Sequence, residues 1–207
     1  MANVNSQSEY VLEIRNLKTA FPSDTGTFAV VDNVSLAVRP GETLAVVGES
    51  GSGKTMTFLS VLGLVPAPGK IVGGQVLLAG EDLTMMSADK LRDLRGADIA
   101  MVFQDPMTSL NPVMRIGRQI SAGLRFHLGL SRREARQRSL ELLDVVGVPE
   151  AERRLDEYPH QLSGGMRQRV TIAIALACQP GLLIADEPTT ALDVTVQKQI
   201  LDLLGHL

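Results

Sequence analysis

Tryptophan is absent from this chain, and only five phenylalanines and two tyrosines supply aromatic surface. A core built from it rests on Val, Leu, Ile, Ala and Met, which pack by shape rather than by ring contacts. Cysteine is almost missing as well. Cys178 stands alone, so no disulfide can close within the chain, which suits a reducing compartment. It lies in an apolar run, the setting of a buried inert thiol rather than a nucleophile. Long apolar runs are lacking too: the longest, Val170–Cys178 with Thr171 inside it, is about half the ~20 residues needed to cross a bilayer. Met1 to Tyr10 is polar, without the basic and apolar segments of a secretory signal. Nor is there a basic excess. Twenty Lys and Arg against 23 Asp and Glu leave a formal charge of −3, poor footing for a protein whose main task is gripping nucleic acid.

What is present is ordinary globular material: 207 residues, 44% hydrophobic and 21% charged, which excludes wholesale disorder and suffices for one domain with a subdomain. Val11–Phe21 and Val30–Val38 read as strands around a Pro-Ser-Asp-Thr-Gly turn. Thr43–Val47 reads as a short apolar strand, followed by a helical pattern reaching Leu64. After a Pro- and Gly-punctuated loop come a strand at Gln75–Ala79, a helix capped by Ser87 and ending near Arg95, and a buried strand at Ile99–Phe103. From Asp105 to about Leu162 the signals are helical. Ser131 and Glu134 form a capping box, and Arg132, Arg133, Arg136 and Arg138 read as a solvated helix face. A helix follows Ser163, Leu182–Ala185 is an apolar strand, and Val194 to Leu204 patterns as a last amphipathic helix.

Three motifs carry chemistry. Gly48-Glu49-Ser50-Gly51-Ser52-Gly53-Lys54-Thr55 fits the phosphate loop G-x-x-x-x-G-K-[ST] between a predicted strand and helix. Its glycines let backbone N–H groups surround phosphate oxygens at a helix start. Lys54 would reach the β- and γ-phosphates, and the Thr55 hydroxyl would ligate magnesium. Downstream, the apolar strand 182–185 ends in Asp186 and Glu187. Asp186 is placed to hold magnesium, directly or through water, and Glu187 to orient or deprotonate an attacking water. Thirdly, Leu162-Ser163-Gly164-Gly165-Met166 opens a helix whose first N–H groups are left uncovered by the two glycines, again an anion site.

In this order the three motifs resemble the ATP-binding cassette ATPases. The resemblance covers nearly the whole chain after about Tyr10. It implies an α/β P-loop NTPase (RecA-like) core with an N-terminal antiparallel β subdomain and an inserted α-helical subdomain. The corresponding division is 1–104, the β subdomain and first part of the core; 105–162, the helical subdomain; and 163–207, the signature helix and an incomplete second part. It further implies a head-to-tail dimer in which Ser163, Gly164 and Gly165 face the γ-phosphate held by the opposite subunit. Gln104 resembles the glutamine that contacts magnesium or attacking water and relays to a membrane partner. Asp193, in Ala191-Leu192-Asp193, matches the loop that bridges the dimer, or else caps the last helix. Phe21 matches the aromatic that stacks on adenine; Phe28 is its rival, and core packing is the alternative for either.

Phe103–Pro112 and Tyr158-Pro159-His160-Gln161 look like the dipeptide, oligopeptide and nickel importer branch. On that resemblance the chain is expected to bind ATP and Mg2+ and to hydrolyse ATP at the cytoplasmic face of the cell membrane. Its partners would be a second ATPase subunit, identical or not, transmembrane permease subunits and, indirectly, an extracytoplasmic solute-binding protein. Met107 and Met114 are expected to fill the helical subdomain's core rather than to line a groove, and His160 to be structural. The chain departs from the family in lacking the histidine that follows the next strand, since His206 comes too early, and in lacking that flanking strand. It reads as a cassette cut short. Two other readings follow: a nucleotide-binding module with little activity of its own, and a soluble cassette ATPase acting on nucleic acid, which the acidic balance disfavours.

Overall fold

The computed structural model describes residues 8–24 and 26–188, with the isolated positions 194, 197, 198 and 205. Two compact units emerge, Met1–Arg95 and Gly96–Leu207.

In the first unit, β1 (Leu12–Ser23) lies between β2 (Gly26–Val38) and β3 (Lys70–Leu78), and the two-residue β4 (Glu81–Asp82) completes an antiparallel sheet of order β2-β1-β3-β4. The buried positions of β1 alternate at Leu12 and Ile14, then shift at a bulge where Asn16 turns to φ 48°, and resume at Leu17, Thr19 and Ala20. Helix α1 (Lys54–Val61) packs on this sheet. A buried hydrogen bond of 2.7 Å between the Thr19 and Ser60 hydroxyls ties it to β1. The Arg95 guanidinium donates to the Leu62 and Gly63 carbonyls just past the helix end. Helix α2 (Ala88–Leu94) starts where Ser87 accepts from the Lys90 N–H.

The expected strand at Thr43–Val47 is not formed. Residues 42–49 are irregular, and Val47 is 93% exposed. A strand exists only through its ladder, and among the described residues none pairs with this segment. Apolar content alone therefore produced the expectation.

The second unit holds a parallel pair, β5 (Ile99–Val102) beside β6 (Leu182–Ala185), and a set of helices: α3 (Pro106–Ser109), α4 (Ile116–Leu128), α5 (Arg132–Val145), α6 (Ala151–Arg154) and α7 (Gly164–Leu176). The capping box at Ser131 and Glu134 starts α5 as expected, and Gly129 closes α4 at φ 65°. One apolar cluster joins the unit, with Ile116, Ile120, Leu124, Leu143, Val146 and Ile172 fully buried. At about 25 cal/mol per Å2, such residues supply most of the drive that holds α4, α5 and α7 together. Met107 does not fill this core; it is 62% exposed and its sulfur meets the Arg167 guanidinium. The arginine face of α5 is solvated as expected, with Arg136 on Asp156 and Arg138 on Glu141. Cys178 is half-buried, and burial raises its thiol pKa, which keeps it in the inert form.

Candidate functional site

The phosphate loop belongs to the first unit. Gly53 caps α1 at φ 90°, a left-handed conformation that costs other residues about 1–2 kcal/mol. Space demands glycine there as well, because a Cβ would lie 2.6 Å from the Val30 carbonyl oxygen. At the other end of the loop a Cβ on Gly48 would meet the Ser52 hydroxyl at 2.7 Å, so a side chain there would require Ser52 to turn aside. The Lys54 ammonium donates to the Gly48 carbonyl at 2.7 Å and the Glu49 carbonyl at 3.0 Å, which holds the charge across the loop. No acidic residue occupies the first turn of α1, and Thr55 stands in that turn. Together these put a left-handed glycine and one cation at a helix start, a setting suited to phosphate oxygens.

Phe21 and Phe28 are direct partners across the β1–β2 hairpin. Phe21 is half-buried, whereas Phe28 is 64% exposed. Neither belongs to the buried core.

The carboxylates belong to the second unit. The β5–β6 ladder runs through all four residues of each strand and continues one step, the Asp186 N–H donating to the Val102 carbonyl at 3.0 Å. It delivers Asp186, 3% exposed, and Glu187 past the end of β6, and Gln104 past the same end of β5. The Gln104 side-chain amide donates to Glu187 Oε2 at 2.7 Å. Glu187 has φ 45°, unusual for a residue with a side chain and typical of positions held in strain for a purpose.

Signature residues Ser163, Gly164 and Gly165 start α7, where Ser163 accepts from the Met166 N–H at 3.3 Å. No acidic side chain lies in that first turn, and a Cβ on Gly164 would meet nothing within 4 Å. His160 stacks on Tyr158 with centroids 5.7 Å apart, a structural contact. Asp193, with Ala191 and Leu192, and His206 lie outside the described residues.

The ABC transporter family profile matches residues 31–190, a span that contains the loop, the signature and both carboxylates. The chain belongs to the ABC transporter family. Among ABC relatives, a "putative peptide import ATP-binding protein" of Brucella abortus is 57% identical over 197 residues, 95% of this chain and 59% of the relative. Another of that description, from Brucella melitensis, is 55% identical over 203 residues, again 95% of this chain and 60% of the relative. The chain thus spans about three-fifths of the length of these curated relatives. Two solved ABC structures are similar to it. One is a bacterial ABC transporter cassette in dimeric form, with TM-score 0.82, 32% identity and coverage of 93% of this chain and 81% of that one. The other is a dimeric post-hydrolysis ATP-binding cassette bound to ADP and Pi, with TM-score 0.81, 31% identity and the same coverage. With them, the α/β P-loop fold with its antiparallel sheet and helical part is that of an ABC cassette.

For an ABC chain the loop fits nucleotide phosphates: at Gly53 a Cβ would run into the Val30 carbonyl oxygen, and Lys54 is already bent over the loop. Taken residue by residue, Thr55, Gln104 and Asp186 carry hydroxyl, amide and carboxylate oxygens, the ligand types of a hard cation. Among the described residues no three His, Cys, Asp or Glu side chains gather into a metal cluster, and no helix is long and apolar enough to cross a membrane. Sequence reasoning missed the Gln104–Glu187 bond, which joins residues 83 apart and left no local signal. It also missed Thr19 and Ser60, whose meeting was hinted at only by hydroxyls on otherwise apolar faces.

Proposed function

We propose that this chain is the ATP-binding and ATP-hydrolysing part of an ABC importer, working as a head-to-tail dimer on transmembrane permease subunits to take up peptides. The observation that carries hydrolysis is the Gln104–Glu187 hydrogen bond beside the buried Asp186. Gln104 engages Oε2 and so fixes the rotation of the carboxylate that takes the proton of the attacking water. Lys54 and the loop N–H groups hold the β- and γ-phosphates, and Phe21 stacks on adenine. Thr55, Gln104 and Asp186 are the residues that would hold Mg2+, which when bound neutralises charge on the phosphates. Ser163, Gly164 and Gly165 offer their helix start to the γ-phosphate of the opposite subunit, and Asp193 contributes to the dimer loop. The peptide class draws support from the descriptions of the Brucella relatives and from nothing in the site itself, and the location at the cytoplasmic face of the cell membrane goes with the importer reading.

The test is Glu187→Gln, measured for ATP binding by calorimetry and for phosphate release. ATP binding is expected to persist while turnover falls by about 10²–10⁴-fold, the usual contribution of a general base. Lys54→Ala serves as the contrast, losing binding itself. Unchanged turnover in Glu187→Gln would refute the role given to this carboxylate.

A further inference from the structure

Phe21 does not stand up from the sheet. The β1–β3 register places Ala20 opposite Lys70, so the next pair outward is Phe21 and Gly69. A Cβ built on Gly69 would lie 2.4, 2.5 and 2.8 Å from Cζ, Cε1 and Cε2 of the Phe21 ring. Three ring carbons at nearly equal distance put that Cβ above the face of the ring and not at its edge. The ring therefore lies across the bare backbone of Gly69, in the turn closed by the Gly69 N–H on the Pro66 carbonyl at 2.9 Å. Aromatic rings cover cross-strand glycines in this way because the glycine leaves a gap of one side chain. Phe28, paired with Phe21 from the edge strand β2, is 64% exposed.

We propose that Gly69 is a positioning residue for base recognition: its missing side chain lets the Phe21 ring lie flat, one face seated on backbone and the other presented to a nucleobase. This rests on the reading that Phe21 is the adenine-stacking residue. A ring already seated loses little freedom when a base stacks on it, which favours Phe21 over Phe28 as the platform. Gly69 is not in the left-handed region, so alanine there meets no backbone strain and acts only through the ring.

The experiment compares ATP with inorganic tripolyphosphate on the 207-residue chain. Gly69→Ala is expected to weaken ATP binding about tenfold, the scale of one lost base stack, and to leave tripolyphosphate binding unchanged. In a Phe21→Ala background, where the ring is gone, it is expected to cost nothing further. Equal weakening of both ligands, or full additivity with Phe21→Ala, would overturn the proposal. A Phe21→Trp variant separates the proposal from the reading beneath it, because the chain has no other indole to emit. Quenching of its emission by ATP and not by tripolyphosphate supports base stacking at position 21; no quenching by ATP refutes that reading. Adding Gly69→Ala to this variant should shift the ligand-free emission, and an unshifted spectrum refutes the positioning role whatever ATP does.

Discussion

Around the phosphate loop residues 42–52 are exposed and outside regular structure up to the start of α1, whereas Asp186 is 3% exposed at the end of a strand paired along its whole length. The first region is made of backbone, and its requirements are conformations: a left-handed glycine at position 53 where a Cβ has no space, and one lysine bent over the Gly48 and Glu49 carbonyls. The second is made of side chains set by their neighbours, a buried carboxylate and a second one held by Gln104. Backbone sites fail when a residue gains an atom, and side-chain sites fail when a residue loses one.

The sharpest way to break that contrast is a pair of glycine substitutions. Gly53→Ala places a Cβ 2.6 Å from the Val30 carbonyl in a conformation at φ 90°. Strain of about 1–3 kcal/mol plus the clash predicts a loss of ATP affinity beyond about a hundredfold, read by calorimetry. Gly164→Ala, with nothing within 4 Å and at the first turn of α7, predicts an unchanged or slightly raised Tm, since alanine favours helix by up to about 1 kcal/mol. ATP binding to the single chain should persist, while turnover falls wherever two chains must meet. If Gly164→Ala lowers ATP affinity of the single chain as much as Gly53→Ala, the two glycine starts are alike and the contrast is lost.

The same contrast decides what the sequence could say. The phosphate loop was legible because its chemistry lies in eight consecutive residues whose types fix the backbone. The capping box at Ser131 and Glu134 and strand β6 were legible for the same local reason. Thr43–Val47 misled, since apolar residues mark a segment able to pair but do not name its partner. Met107 misled in the same way, a core-type side chain that stands 62% exposed on the short α3. The Gln104–Glu187 bond and the seat of Phe21 on Gly69 depend on strand register, and register is a property of two segments at once.

A smaller effect tests how firmly the loop's helix is anchored. Ser60→Ala leaves the fully buried Thr19 hydroxyl without its 2.7 Å partner. Leaving a buried group unsatisfied costs about 1–3 kcal/mol, or a few degrees of Tm in a chain of this size. Thr19→Val should cost less, because Ser60 keeps its bond to the Met56 carbonyl at 2.7 Å. Equal losses from the two would mean that the pair, and not the orphaned hydroxyl, sets the cost.

The smallest expected effect concerns the second unit's counterpart to that tie, the ion pair of Arg136 and Arg115 with Asp156, which links α5 and the start of α4 to the turn after α6. The Arg136 hydrogen bond, aided by the charges of Arg136 and Arg115, holds the Asp156 carboxyl below its ordinary pKa. A carboxyl lowered on folding adds stability above its unfolded pKa of about 3.9, and that stability is lost as pH falls through the folded value. Because the side chain is 53% exposed, water and salt screen the pair to under about 1 kcal/mol. Asp156→Asn should therefore lower Tm slightly at pH 7, and the difference from the unmodified chain should close under strongly acidic conditions or in 1 M salt. The Thr19–Ser60 tie is neutral and buried, so the cost of Ser60→Ala should hold across the same range. A difference for Asp156→Asn that survives acid would mean that this face, too, is held by shape and hydrogen bonding rather than by charge.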